Sequence, residues 1–248
     1  MDLGLRDRVY IVTGGSRGLG RATAEVLVAE GARVVLSGRD GDVLAAAAEA
    51  LGEAAAAIVA DNADPGTPAR LISAAQERWG RLDGVLISVG GPPPGTVTEV
   101  SDAQWSAAFE SVFLGAVRLA REVAAVLGEG GSIAFVLSGS AKAPIGDLGI
   151  SNGLRPGLAM VAKALADELG PRGVRVNGLL PGQVFTDRLV ELTGQVDPDA
   201  APAPDGVPLG RYGRPEEFGR VAAFVLSPAA SFVSGSMVPV DGGALPAL

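Results

Sequence analysis

The chain has 248 residues and a formal net charge of −8, with no His, no Cys, two Tyr (Tyr10, Tyr212) and two Lys (Lys142, Lys163). These counts exclude disulfides, thiolate zinc sites, Cys nucleophiles, histidine bases and Ser-His-Asp triads, leaving proton transfer to Asp, Glu, Tyr, Lys, Ser or Thr. The acidic balance argues against a general nucleic-acid binder, and no uncharged apolar run reaches spanning length, so a soluble cytoplasmic protein is expected.

Met1–Arg8 mixes two acids with two bases and does not read as a secretory signal. Val9–Thr13 is then a short β-branched strand closed by glycines, and Leu19–Ala29 a helix that stops at Gly31. Arg33–Ser37 is a second apolar strand, followed by a helix at Asp42–Leu51 ending at Gly52. Ala56–Ala60 predicts a third strand and Thr67–Trp79 a helix ending at Gly80. Gly84–Ser88 is a fourth strand, stopped by Gly90-Gly91-Pro92-Pro93-Pro94, a stiff run that either walls a cleft or simply connects. A long helix runs from Asp102 to about Leu127, with Trp105, Phe109, Val112, Phe113, Ala116 and Val123 on its apolar side. Ser132–Leu137 is strand five, and Leu154, Leu158, Val161, Leu165 and Leu169 recur at helical spacing after it. Val174–Leu180 is strand six and Met237–Val240 a last strand.

Nearly continuous apolar strands alternating with helices imply a parallel sheet covered on both faces. That is an α/β, doubly wound Rossmann-type domain spanning 1–248. Pro181–Leu209 lacks strong periodicity, is rich in Pro, Asp and Gly, and follows strand six, so a lid at the ligand-binding edge is expected there. Its Val184, Phe185, Leu189 and Leu192 suggest a partly apolar pocket.

Thr13-Gly14-Gly15-Ser16-Arg17-Gly18-Leu19-Gly20 joins the first strand to the first helix. Gly14 permits a tight turn, Gly18 lets a diphosphate approach the backbone, and Gly20 lets the helix pack on the strand with its first amides facing the anion. Strand two ends Leu36-Ser37-Gly38-Arg39, without the acid that usually holds the ribose hydroxyls of NAD. Arg17 and Arg39 together suit a 2′-phosphate, so NADP(H) is favoured; the nearby Asp40 keeps NAD(H) open.

Over essentially its whole length the chain resembles the short-chain dehydrogenase/reductases, and within them the 3-oxoacyl-(acyl-carrier-protein) reductase-like members. The residues that carry the likeness are the Thr13–Gly20 loop, Asp61 after strand three, Gly90, Val174-Arg175-Val176-Asn177, Pro181-Gly182 with Thr186, Pro208-Leu209-Gly210-Arg211 and Asp241-Gly242-Gly243. The resemblance implies a cofactor site that includes Asp61 at the adenine, Gly90, Pro181, Gly182 and Thr186. It also implies a homodimer or homotetramer built on the two long helices and the C-terminal segment, where Leu245-Pro246-Ala247-Leu248 is an apolar tail.

The catalytic pattern departs from the family. Its members carry Tyr and, four residues later, Lys on the helix after strand five, with a Ser about a dozen residues before the Tyr. The Tyr protonates the carbonyl, and the Lys lowers its pKa and holds the nicotinamide ribose. Here Ser138 matches the Ser, Ser151 stands at the Tyr position and Arg155 at the Lys position. The family's helix Asn falls at Val112, or at Ser111 if the register shifts by one, and its Asn-Asn-Ala-Gly turn is Ile87-Ser88-Val89-Gly90. Ser151 cannot copy a phenol, and Arg155 can hold a ribose but stays charged. Two readings follow. One is an atypical NADP(H)-dependent oxidoreductase of a carbonyl or hydroxyl group, with Ser138 or Ser140 on the carbonyl oxygen and protons from water, Lys142 or Asp147. The other is a dinucleotide-binding sensor or scaffold without redox turnover. Lys163 reads as a surface residue.

Overall fold

The structure is a computed structural model that describes residues 1–187, 189–190 and 204–246. Its strands are β1 (Val9–Thr13), β2 (Arg33–Gly38), β3 (Ala55–Val59), β4 (Gly84–Ile87), β5 (Ser132–Val136), β6 (Arg175–Pro181) and β7 (Met237–Val240). All pair in parallel, in the order β3-β2-β1-β4-β5-β6-β7. The order reverses between β1 and β4, which opens a crevice at their carboxyl ends. The helices are α1 (Gly18–Ala29), α2 (Gly41–Leu51), α3 (Thr67–Trp79), α4 (Asp102–Ala108), α5 (Gly115–Val126), α6 (Gly149–Leu169) and α7 (Pro215–Leu226). None of the described helices is long and apolar enough to cross a membrane.

The apolar strands are explained by burial on both faces. Val9 and Ile11 of β1 point into a core shared with α3, α5 and α6. Tyr10 and Val12 point the other way, into a core shared with α1, α2 and α7. Successive strand residues alternate faces, so both sets must be apolar. Each fully buried aliphatic side chain contributes about 1.5–3 kcal/mol.

Three elements differ from the sequence expectation. The long helix is broken: Phe109–Leu114 forms a π-helical segment between α4 and α5. There Gly115 comes so close to the loop after β3 that a Cβ would sit 2.2 Å from the Asn62 carbonyl oxygen. The helix after β5 starts at Gly149, more than a turn before the first periodic residue Leu154, where the Gly149 amide donates to the Gly95 carbonyl across a short bridge of loops. Lastly, α7 had no counterpart in the sequence reading. It carries Pro near its start and Glu216 and Glu217 in its first turn, both good start signals. Its buried face is diluted by Gly219, Ala222 and Ala223, which blunts apolar periodicity. Close packing demands those small residues: a Cβ on Gly219 would lie 2.7 Å from the Ala22 carbonyl oxygen of α1.

Candidate active site

The β1–α1 loop owes its shape to its glycines. Gly14 (φ 59°) and Gly18 (φ 53°) occupy left-handed conformations. A Cβ at Gly20 would collide with the Gly14 carbonyl oxygen at 2.3 Å, so only glycine lets α1 start there. Thr13 Oγ1 accepts from the Ser88 amide and donates to the Ser88 carbonyl, both at 2.9 Å, locking the ends of β1 and β4 together. No side chain caps α1, whereas Asp40 caps α2 and Ser101 caps α4. The first amides of α1 thus stay available, as an anion site requires.

Thr186 faces this loop. A Cβ placed on Gly18 would lie 3.5 Å from the Thr186 methyl carbon, ordinary contact distance, so Thr186 stands directly beside the loop. Thr186 is positioned by β6: Gly182 donates to Val240 O (3.0 Å) and packs so tightly on Asp241 that no side chain fits. Pro181 is the last residue of β6, and Gly90 beyond β4 is exposed with open space around it. A diphosphate fits a cradle of this kind, with free amides on one wall and a threonine on the other.

At the end of β2, Ser16 packs against Gly38. Arg17 Nη2 lies 3.3 Å from Asp40 Oδ2, an exposed pair, and Arg39 is exposed with no ion pair to a described residue. The two expected 2′-phosphate arginines thus share one strand end, with Asp40 as the local competitor. Asp61 is exposed after β3, where its Oδ1 accepts from the Ala63 amide at 2.9 Å. Leu19 is half-buried against the α1/α2 core.

The chemical end lies two strands away, past the carboxyl end of β5. Ser138 is half-buried, and its Oγ accepts from the Ser140 amide at 3.2 Å, leaving its own hydroxyl proton for another acceptor. Ser151 and Ser140 are buried, and their hydroxyl oxygens lie 2.9 Å apart. The Ser151 hydroxyl, expected from the sequence at the Tyr position, is therefore turned to a neighbouring serine. Only one proton is used within this pair, but both hydroxyls are buried, whereas Ser138 is half-buried and so the more accessible seat for a carbonyl oxygen. Arg155 is also buried; its Nη1 donates to the Val136 carbonyl at 2.9 Å, and its Nε has no partner. Burial alone pushes this guanidinium down to about 10, with no acid near enough to raise it.

Two contacts invisible in the motif hold this region. Asn152 accepts from the Ile145 amide and donates to the Ile145 carbonyl, fastening the loop between β5 and α6. The Gly95 amide donates to the Asp147 carbonyl (2.7 Å), with Asp147 itself at φ 56°. Lys142 and Asp147 are exposed loop residues. Lys163 pairs with Asp167 on the surface of α6, as a surface residue should. Of the two helix positions proposed for an Asn, Val112 is in the core and Ser111 bonds the Ala107 carbonyl, so neither brings a polar group to the site.

Neither tyrosine lies on α6 or on the turn after β5. Tyr10 is fully buried in β1, and desolvation pushes its phenol up to about 12; Tyr212 packs edge-on against Phe185. Of the expected lid, 191–203 and Arg188 lie outside the described residues, and Leu192 with them. Val184 and Leu189 are buried and Phe185 half-buried. In the C-terminal tail, Leu245 packs against the α3/α5/α6 core, while Ala247 and Leu248 lie outside the described residues.

Residues 14–244 match the family model described as enoyl-(acyl carrier protein) reductase. An uncharacterized oxidoreductase of Mycobacterium tuberculosis is 33% identical over 250 residues, covering 96% of this chain and 92% of the relative. The crystal structure of a short-chain dehydrogenase/reductase from Brucella melitensis superposes with a TM-score of 0.92 at 32% identity, over 100% of both chains. The L-sorbose reductase of Gluconobacter frateurii, solved with NADPH and L-sorbose, is similar at a TM-score of 0.89 and 31% identity, again over 100% of both.

Proposed function

Because the chain belongs to the short-chain dehydrogenase/reductase family of oxidoreductases, we propose that it is an atypical NADP(H)-dependent oxidoreductase acting on a carbonyl or its alcohol. The observation that carries this reading is the placement of two things on one sheet edge. The uncapped glycine cradle faces Thr186 there, and Ser138, its hydroxyl proton uncommitted, stands beyond β5. The nicotinamide cofactor, when bound, supplies the hydride that reaches the carbonyl carbon. Ser138 donates a hydrogen bond to the carbonyl oxygen and stabilises the charge that grows there. The C=O π bond breaks, one C–H and one O–H bond form, and the oxygen takes its proton from water, since no phenol stands at the site.

Gly14, Ser16, Gly18, Leu19 and Gly20 are assigned to the diphosphate wall, Arg17 and Arg39 to the 2′-phosphate, and Asp61 and Gly90 to the adenosine and ribose side. Pro181, Gly182 and Thr186 form the opposite wall. Arg17→Ala and Arg39→Ala are each expected to weaken NADPH about tenfold, the loss of one charge-assisted hydrogen bond, with NADH changed less than twofold. Asp40→Asn, which keeps the α2 cap, should tighten NADPH. Fluorescence titration with both cofactors decides it: equal losses for NADPH and NADH would sink the 2′-phosphate assignment.

A redox-silent dinucleotide binder is the second reading, favoured by the Ser140–Ser151 pair that occupies the proton-donor position. Tight NADPH binding without turnover of any ketone or alcohol in a broad screen would select it.

We also propose a homo-oligomer. Phe109 stacks on Phe113 yet is 43% exposed, Met160 of α6 is 70% exposed and Phe232 is fully exposed, apolar surface that a partner subunit would cover. Sedimentation equilibrium should report a dimer or tetramer; a mass of one chain would remove this part of the proposal.

A further inference from the structure

Arg155 presents an unsolved electrostatic problem in the fold. It is 4% exposed, at the carboxyl end of β5, and its one side-chain hydrogen bond to a described residue goes from Nη1 to a neutral carbonyl. No acid occurs on β5, or on α6 before Asp167, and Asp167 is paired with Lys163 on the surface. The neighbouring serines Ser138, Ser140 and Ser151 are neutral. A group that ionises near 10 remains charged at neutral pH, so among the described residues the fold buries a cation without a counter-charge. Ribose hydroxyls could accept from it but would not offset its charge.

The unused edge points to what would. With Nη1 committed, Nε is buried without a partner, and Nη2 on the same edge of the guanidinium has no hydrogen bond to a described residue, so the two form a fork of parallel N–H donors. That fork matches the two oxygens of a carboxylate, a geometry a lysine ammonium cannot offer. Ser138 follows Val136 by two residues, so their Cα atoms lie within about 7 Å. A carboxylate on Arg155 and a carbonyl on Ser138 are thus within the span of one small oxo acid.

We infer that Arg155 is the receptor for a substrate carboxylate, and that this protein acts on oxo acids or the corresponding hydroxy acids. The inference rests on the oxidoreductase reading for its second half only. Arg155 is on this view a binding and specificity residue, in addition to whatever hold it has on the cofactor.

Calorimetry on the full chain tests it, with acetoacetate, 2-oxobutanoate and benzoylformate, each against its methyl ester, and with inorganic phosphate. At least one acid is expected to bind tenfold or more tighter than its ester. Arg155→Met should bind acid and ester alike, and Arg155→Lys should show an intermediate preference. Without added acid, Arg155→Met should also raise the unfolding midpoint by about 5 °C, because a lone buried charge is removed. The acid should then raise the midpoint of the native chain but not that of the variant. No acid–ester difference in any pair, or a preference that survives Arg155→Met, overturns the inference. Phosphate that binds as tightly as the acid and displaces it overturns it too, in favour of a general oxyanion seat. If Arg155→Met does not fold, the ester comparison and Arg155→Lys decide. NADPH titration is run separately, so failure of the cofactor reading shows as lost nucleotide binding while the calorimetric comparison stands.

Discussion

Ser138→Ala is expected to lower kcat/KM for NADPH-dependent carbonyl reduction by about 10²–10³, the usual cost of deleting one hydrogen-bond donor from a developing oxyanion. Ser151→Ala, at the position proposed to replace the family's tyrosine, is expected to stay within about threefold. The difference follows from exposure as well as bonding: Ser138 is half-buried at the edge, whereas Ser151 is buried against Ser140. Ser138 Oγ is an acceptor for the Ser140 amide, so its proton is free to point at substrate. Ser151 is buried and its oxygen is engaged with Ser140 at 2.9 Å. Its removal leaves one buried hydroxyl without a partner, a stability loss of about 1–3 kcal/mol that urea unfolding would show while kcat stays high. Steady-state kinetics on both variants separates the roles. If Ser151→Ala loses as much rate as Ser138→Ala, Ser151 is the acid and the serine pair is a relay. If neither changes the rate, the carbonyl seat lies elsewhere.

The legible parts of this site are those set by local spacing. The Gly14, Gly18 and Gly20 pattern states where backbone must turn and where a helix must touch a strand, and the structure shows both. Alternating strands and helices gave the doubly wound sheet for the same reason, since burial on two faces leaves a nearly continuous apolar run. The pairing of Ser140 with Ser151 was not legible. It depends on α6 docking against the turn after β5, and nothing in either segment names the other. The isolation of Arg155 was hidden too, because the missing acid is a property of every element packed around it. The break at Phe109–Leu114 left one trace, Gly115, whose meaning depends on how close Asn62 comes.

A second large effect is expected far from the chemistry. Arg175→Met should destabilise the fold by about 3–5 kcal/mol, read as a lower urea midpoint at unchanged slope. Arg175 is buried at the start of β6 and donates to four carbonyls: Val225 (2.7 Å), Leu226 (3.1 Å), Ser227 (2.9 Å) and Val233 (3.4 Å). Three of these close the C-terminal end of α7, where helix carbonyls have no intrahelical partner and a cation is favoured. In the variant Leu226 O keeps Ser132 (2.7 Å) and Tyr10 (3.5 Å), Ser227 O keeps the Ala230 amide (3.1 Å) and Val233 O keeps Asn177 Nδ2 (2.9 Å), so the Val225 carbonyl is the one left without a donor among the described residues, and the other three lose their charge-assisted bond. Arg175→Lys should recover less than half of the loss, because one ammonium cannot span four acceptors. This helix, unread in the sequence, supports α1 through Gly219 and Ala22, and α1 carries the phosphate loop. The damage should nevertheless be to folding. NADPH at a hundred times its Kd should return about 2.7 kcal/mol to native and variant chains alike. A loss below about 1 kcal/mol would mean that water replaces the guanidinium at these carbonyls. A smaller NADPH gain in the variant would mean that α7 also shapes the cofactor loop.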